Sequence, residues 1–371
     1  MDLPRDDVER AFGQAVSSYD VEPIDPQLRI HSITGGVYRV RADGDTAVVK
    51  VIRHATSATP DGLWGGDAEV SGRNYWKREW LAFDSGLLDA LPGRLRAPRT
   101  LLTTEPQPDE CWIWMEDVQG RTGSRLQLDD FDAIAFALGT MQGAYAAGHV
   151  PLPDQPWLSR NWLRGWVGVC ARNFVPALHS DSGWDDQRIA PMRELRPRVA
   201  ALWDHHEELL AIAESAPLTV AHWDFWPANL YVHGDGARDE RDVVAIDWSQ
   251  VGISGITHDL DQLTLDTVWM HMRPDESLDV LEAHVLPAYV DGLRAAGCDV
   301  DESSVRRCYA AAAAARYAWL AGGQPSLAAD AEAVQVAERR FGRSLAQVTA
   351  TKSRVVRRAV ELGEWALESA P

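Results

Sequence analysis

Apolar and polar positions alternate between Leu28 and Arg53. Ile33, Val37, Tyr38 and Val40 come first, then a polar turn at Asp43-Gly44-Asp45, then Ala47-Val48-Val49-Lys50-Val51-Ile52. A period of two on either side of an Asp-Gly pair predicts a twisted β-hairpin. Residues 54–74 hold many Gly, Ser, Thr and Asp and predict an irregular insertion. A helix is expected from about Tyr75 to Phe83, ending near Gly86, and Cys111–Met115 reads as a further strand. After Gly120 the period lengthens. Phe131, Ile134, Leu138, Met141 and Tyr145 recur at helical spacing, with Asp129 and Asp130 at the start and Gly148 at the end, as start and stop signals require. Further helices are expected around 189–214, 260–272, 276–296, 303–321 and 326–367, the last with breaks. The alanine run at 310–315 reads as a helix interior.

Composition narrows the class. A chain of 371 residues exceeds the usual single core and points to two lobes. It is 46% hydrophobic and 25% charged, as a globular protein is, with no run of eighteen apolar residues and no secretory signal, so a cytoplasmic location is expected. Cys111, Cys170, Cys298 and Cys308 are scattered, which predicts packed thiols in place of disulfides or a zinc site. A net charge of -19 disfavours nucleic acid and anionic membrane as partners. It suits a cationic substrate, although an acidic surface more often serves solubility. Among the basic residues only Lys50, Lys77 and Lys352 are lysines, so one at the centre of a strand is a functional candidate.

The chemistry concentrates at residues 222–247. His222-Trp223-Asp224-Phe225-Trp226-Pro227-Ala228-Asn229 precedes the apolar Leu230-Tyr231-Val232, and Val243-Val244-Ala245-Ile246 leads into Asp247. Phosphoryl transfer needs one carboxylate beside the attacking hydroxyl and oxygen ligands that hold Mg²⁺ against nucleotide phosphates. Asp224 is placed for the first task, to accept a hydrogen bond from a substrate hydroxyl and orient it for in-line attack. Asn229, five residues on, and Asp247 supply the hard oxygen donors that Mg²⁺ prefers. His222 is expected to brace the loop. Asp and Asn also favour plain turns; here the three required types fall in order between two apolar strand-like runs.

This loop resembles the Brenner-type motif of the aminoglycoside phosphotransferase and choline kinase family, which is similar in fold to the protein kinases. The resemblance implies a bilobal α/β (α+β) architecture: residues 1–115 as nucleotide-binding lobe with a small antiparallel sheet, 116–120 as linker, and 121–371 as a mainly helical catalytic and substrate-binding lobe. It implies the base role for Asp224 and the metal role for Asn229 and Asp247. Lys50 resembles the strand lysine that contacts the α and β phosphates, and Glu79 the helix glutamate paired with it, with Glu69 as the rival partner. Thr34-Gly35-Gly36-Val37-Tyr38-Arg39-Val40 stands where the nucleotide-covering turn lies in the family. The backbone of Glu116 and Val118 would hydrogen-bond an adenine or guanine edge, with the Glu116 and Asp117 side chains as exposed turn charges. Asp259 resembles the aspartate that supports the catalytic loop; His258 beside it reads as a local hydrogen-bonding residue. The family's usual glycine after the histidine and His-Pro-Gly before the asparagine are replaced here by Trp223 and Trp226-Pro227-Ala228.

The implied activity is ATP- or GTP-dependent O-phosphotransfer with Mg²⁺ to an aminoglycoside-like antibiotic, amino-sugar or amino-alcohol. A Ser or Thr hydroxyl of a peptide in natural-product maturation is an alternative acceptor, and a silent nucleotide-binding scaffold is the alternative outside enzymology. Sixteen tryptophans are many for this length. Trp157, Trp162, Trp166, Trp184, Trp269 and Trp319 fall in substrate-lobe segments, where one or two could stack on a ligand. Asp261 and Asp266 are candidates to neutralise an acceptor's ammonium groups.

Overall fold

The structure, a computed structural model, describes residues 3–24, 33–54 and 66–369. The first residues of the expected hairpin, 28–32, and most of the expected insertion, 55–65, lie outside them. The N-terminal half comprises α1 (Arg5–Phe12), β1 (Tyr19–Pro23), β2 (Thr34–Ala42), β3 (Asp45–Arg53), α2 (Arg78–Asp84), β4 (Leu95–Arg96), β5 (Thr100–Gln107) and β6 (Glu110–Glu116). Five of these strands form one antiparallel sheet in the order β1-β2-β3-β6-β5. The β2–β3 turn places Asp43 at φ 49 and Gly44 at φ 99, the paired positive dihedrals that a tight hairpin demands.

Alternation along β3 decides what faces the cleft. Val49 and Val51 join Val40, Trp112 and Trp114 in a core under α1, whereas Ile52 packs with Ile113, Met115, Trp80 and Phe83 on the α2 side. Lys50, one residue from Val49 and from Val51, therefore faces α2 and the cleft. The short β4 leaves this half of the chain to pair with β10 (Asp242–Ala245), in a second sheet ordered β4-β10-β9-β7, with β9 at Leu230–His233 and β7 at Arg121–Thr122.

Helices dominate after β7: α3 (Leu128–Ala146), α4 (Trp162–Asn173), α5 (Val175–Leu178), α6 (Ala190–Trp203) and α7 (His206–Glu214). A two-stranded ladder, β8 (Leu218–Ala221) with β11 (Gly252–Gly255), frames the 222–251 segment. Then follow a π-helical turn at Gln262–Asp266, α8 (Thr267–Trp269), α9 (Leu278–Ala295), α10 (Glu302–Tyr317), α11 (Gln324–Ala329), α12 (Ala331–Phe341) and α13 (Leu345–Glu368). The single helix expected over 189–214 breaks at Asp204-His205, and that over 260–272 is largely the π turn. The breaks after 326 carry ordinary signals: Asp330 accepts from the N–H groups of Glu332 and Ala333, Gly342 ends α12 at φ 61, and Ser344 with Gln347 forms a capping box on α13. α3 and α9 pack closely because both lack a side chain at the crossing: a Cβ at Gly139 would sit 2.3 Å from the Tyr289 carbonyl oxygen, and one at Gly292 2.4 Å from that of Phe136.

Among the described residues no helix is long and apolar enough to cross a membrane. All four cysteines are buried free thiols.

Candidate active site

A cleft of about 350 Å³ lies between the five-stranded sheet and the 222–247 segment, lined among others by Gly36, Lys50, Glu79, Glu116, Val118, Asp224, Asn229 and Asp247. That is the size of a small-molecule pocket. Gly35 is not part of the lining; a Cβ there would meet the Val51 and Arg53 side chains. His222 and Asp259 lie behind the cleft wall, fully buried.

The loop after β8 is held from behind. Asp259 accepts the N–H of His222 at 3.0 Å and of Trp223 at 2.7 Å, and the Gln142 amide donates to the same carboxylate at 2.9 Å. Burial pushes Asp259 up to about 6, and these donors oppose the rise. Gln262, on the π turn, accepts the Phe225 N–H at 3.0 Å. His222 accepts the Asp224 N–H on Nδ1 at 3.2 Å while Nε2 lies 3.0 Å from the Ile246 carbonyl, so a neutral ring with Nε2 as donor satisfies both contacts. Burial lowers its pKa to about 4, which suits a brace better than a proton carrier.

Trp223 stands at φ 65, in the left-handed region where glycine is at ease. Its ring stacks on Trp162 with centroids 4.9 Å apart, and the Arg316 guanidinium lies 5.2 Å from its centroid. A tryptophan thus occupies a glycine conformation because its ring is locked into the core.

On the cleft side the Asn229 amide nitrogen donates to the Asp224 carbonyl at 3.0 Å and to the Asp224 carboxylate at 2.7 Å. Its oxygen is left as the available donor for a cation. Burial first, then the charges of Asp247 and Asp266, push the Asp224 carboxyl up to about 8. Asp247 follows β10 at φ 62. Lys50 Nζ lies 2.6 Å from Glu79 Oε2 and 2.9 Å from Asp247 Oδ1. Against burial, these two carboxylates raise the lysine and keep it cationic. Burial pushes Glu79 up to about 7 against the pull of Lys50, and Glu79 also accepts the Trp248 N–H. Glu69 is exposed, so Glu79 is the glutamate that meets Lys50.

Several side-chain expectations are corrected. Glu116 is paired with Arg96 at 2.8 Å and Asp117 with Arg39 at 2.8 Å, in bidentate contacts that a free turn charge would lack. The Glu116 N–H donates to the Arg99 carbonyl at 3.0 Å, so it is already spent. Trp157, Trp162, Trp166, Trp184 and Trp319 are core residues; of the six substrate-lobe tryptophans named above only Trp269 is half-buried. Asp261 is buried 3.3 Å from Arg316 and faces that guanidinium.

Arg78 was not singled out from the sequence, where it reads as an ordinary helix charge. It is fully buried, and its guanidinium donates to the carbonyls of Trp157 and Arg73 at 2.8 Å each, of Ser249 at 3.4 Å, and of Gly72. Ser249 lies two residues after Asp247. Arg78 and Glu79 together therefore tie α2 to the segment that carries Asp247.

The sequence profile of the Phosphotransferase enzyme family matches residues 33–296. No curated protein matches the chain in sequence. Among solved structures, the microcompartment-associated aminopropanol kinase superposes with a TM-score of 0.53 at 15% identity, over 94% of this chain and 93% of that one. Spectinomycin phosphotransferase, in complex with ADP and spectinomycin, gives 0.51 at 12% identity, over 95% of this chain and 100% of that one. At such identities the likeness is one of fold. The matched span runs from the start of β2 through the cleft and the loop after β8 to the end of α9, and the chain belongs to the phosphotransferase enzyme family, with that family's kinase-like fold.

Proposed function

We propose that the protein transfers the γ-phosphoryl group of ATP or GTP to a hydroxyl of a small molecule. The observation that carries this reading is the linked arrangement of Glu79, Lys50 and Asp247 at 2.6 and 2.9 Å, with Asp224 and Asn229 across the same cleft. Lys50, kept cationic between two carboxylates, would meet the α and β phosphates. Asp224 would accept a hydrogen bond from the acceptor hydroxyl, orient it for in-line attack and take its proton. The backbone of Glu116, through its carbonyl, and of Val118 on the linker would read the base edge.

The donor set fits Mg²⁺. Asn229 offers an amide oxygen and Asp247 a carboxylate; burial first, then repulsion from Asp247, raises Asp224, and a divalent cation relieves that repulsion. Among the described residues no three His, Cys, Asp or Glu side chains gather as a cage, which suits an ion that keeps waters and phosphate oxygens. Mg²⁺ bound there would neutralise charge on the transferring phosphoryl group.

In this reading residues 1–115 are the nucleotide lobe, 116–120 the linker and 121–371 the catalytic and acceptor lobe, closing to exclude water. Neighbours of the same fold are named for aminopropanol and spectinomycin, which supports a small-molecule acceptor. Phosphorus NMR of the purified protein with Mg²⁺, ATP or GTP and a panel of amino-alcohols, amino-sugars and aminoglycosides is expected to show a new phosphomonoester. Nucleotide that stays intact across the panel would overturn the assignment.

A further inference from the structure

Of the three lysines, Lys50 sits between two carboxylates and Lys77 pairs with Glu105. Lys352, on α13, has no such partner. Among the described residues it forms no hydrogen bond or ion pair; its ammonium lies 4.6 Å from the Trp269 ring centroid and 5.3 Å from that of Phe341. His271 closes the slot. Its ring packs on Phe341 with centroids 4.4 Å apart, both ring nitrogens are buried without a partner, and its backbone is held at φ 56. Such backbone strain in a residue other than glycine persists only where its surroundings impose it, and ligand clamps are one such place.

The charges around the slot are mostly positive. Arg340, exposed at the rim, acts on Lys352, and Arg343 acts on His271 while reaching Asp275 at 3.6 Å. Burial first, then Arg340, lower Lys352 to about 8. Asp266 attracts it from the catalytic side without reaching ion-pair distance. In a chain with 55 acidic against 36 basic residues, this half-buried ammonium rests on two aromatic faces with no carboxylate at ion-pair distance, so an incoming anion meets no competing carboxylate there.

The π turn links the slot to the cleft. Gln262 holds the catalytic loop through Phe225, and Asp266, at the end of the same π turn, adds to the field at Asp224. Trp269 follows three residues later. π turns inside helices are frequent at functional sites, where they re-aim side chains.

We propose that Lys352, Trp269, His271 and Arg340 form a seat for an oxyanion, a carboxylate or a phosphate ester, carried by the acceptor whose hydroxyl lies against Asp224. The seat rests on the reading of Asp224 as the acceptor-facing base. It changes the expected acceptor from a simple cation to a molecule with an anionic end.

Three lysines make a direct test feasible. Full-length protein with lysine isotopically labelled at Cε, loaded with Mg²⁺ and a non-hydrolysable ATP analogue, is titrated with sodium phosphate, sodium acetate and, as ionic-strength control, sodium chloride. The Lys352 resonance is expected to shift saturably with phosphate or acetate while that of Lys77 follows the chloride control. Lys352→Met should remove the resonance and the saturable response, with the Lys50 resonance unmoved as proof of fold. A stronger response to phosphate assigns a phosphate ester, a stronger response to acetate a carboxylate. A Lys352 shift no greater than that given by chloride overturns the seat. Because this readout needs no turnover, a saturable Lys352 response in a protein that phosphorylates nothing would sink the catalytic reading and, with it, the acceptor role of the seat, leaving an oxyanion site alone. Phosphoryl transfer without that response would do the reverse.

Discussion

At the scale of single residues, Trp223 and Asp259 separate what the sequence discloses from what it hides. Asp224, Asn229 and Asp247 were legible because their order and spacing encode a chemical requirement. The oddity at 223 was legible too, but its cause was not, since the partners Trp162 and Arg316 are distant in sequence. Two effects compete there. A left-handed backbone costs a residue with a Cβ roughly 1–2 kcal/mol, whereas removing a buried tryptophan ring costs roughly 3–5 kcal/mol. Packing wins. Trp223→Gly should therefore destabilise the fold by about 2–3 kcal/mol net, measured by urea denaturation, despite restoring the residue the conformation favours; a stabilised variant would show that backbone strain dominates.

At the scale of elements, hairpins and long helices were readable because alternation and capping are local. The Asp43-Gly44 turn and the helix from Leu128 to Ala146 follow their signals closely. The short α1 escaped because it buries only Val8 and Ala11. The π turn escaped because its register depends on what Gln262 and Asp266 must face. Arg78 escaped because its acceptors are backbone carbonyls in three separate segments, which leave no mark in side-chain identity. Arg78→Met would take the guanidinium donor from those carbonyls, and should cost roughly 1–3 kcal/mol for each that is left buried without another. Turnover should fall with it, since α2 and the Asp247 segment lose their common tie. Arg78→Lys is expected to rescue little, because a point ammonium cannot span the spread of acceptors that a planar guanidinium reaches. Full kcat in the lysine variant would show that charge alone suffices.

At the scale of the molecule, the titrating groups give a pH signature. Burial raises Asp224 to about 8 and Glu79 and Asp261 to about 7, above their unfolded values, so the folded state binds more protons than the unfolded one between about pH 4 and pH 8. Stability from these groups is present at the acid end of that window and is lost as pH rises through it. His222, His258 and His271, lowered to about 4, act oppositely, with stability rising from about pH 4 to their unfolded value near 6.5. Above about 6.5 only the acids remain, so the melting temperature without nucleotide should fall from pH 6.5 to pH 8, and Mg²⁺ with nucleotide should flatten that fall by holding Asp224 charged. A melting temperature that climbs over the same interval would contradict the assignment of the buried charges. The account as a whole turns on the catalytic loop, and Asp224→Asn probes it most directly, through Mg²⁺-ATP affinity and phosphoryl transfer measured side by side with wild type. The account predicts nucleotide affinity within about twofold of wild type and transfer reduced by roughly 10²- to 10⁴-fold. Transfer that persists at the wild-type rate with nucleotide still bound would contradict it.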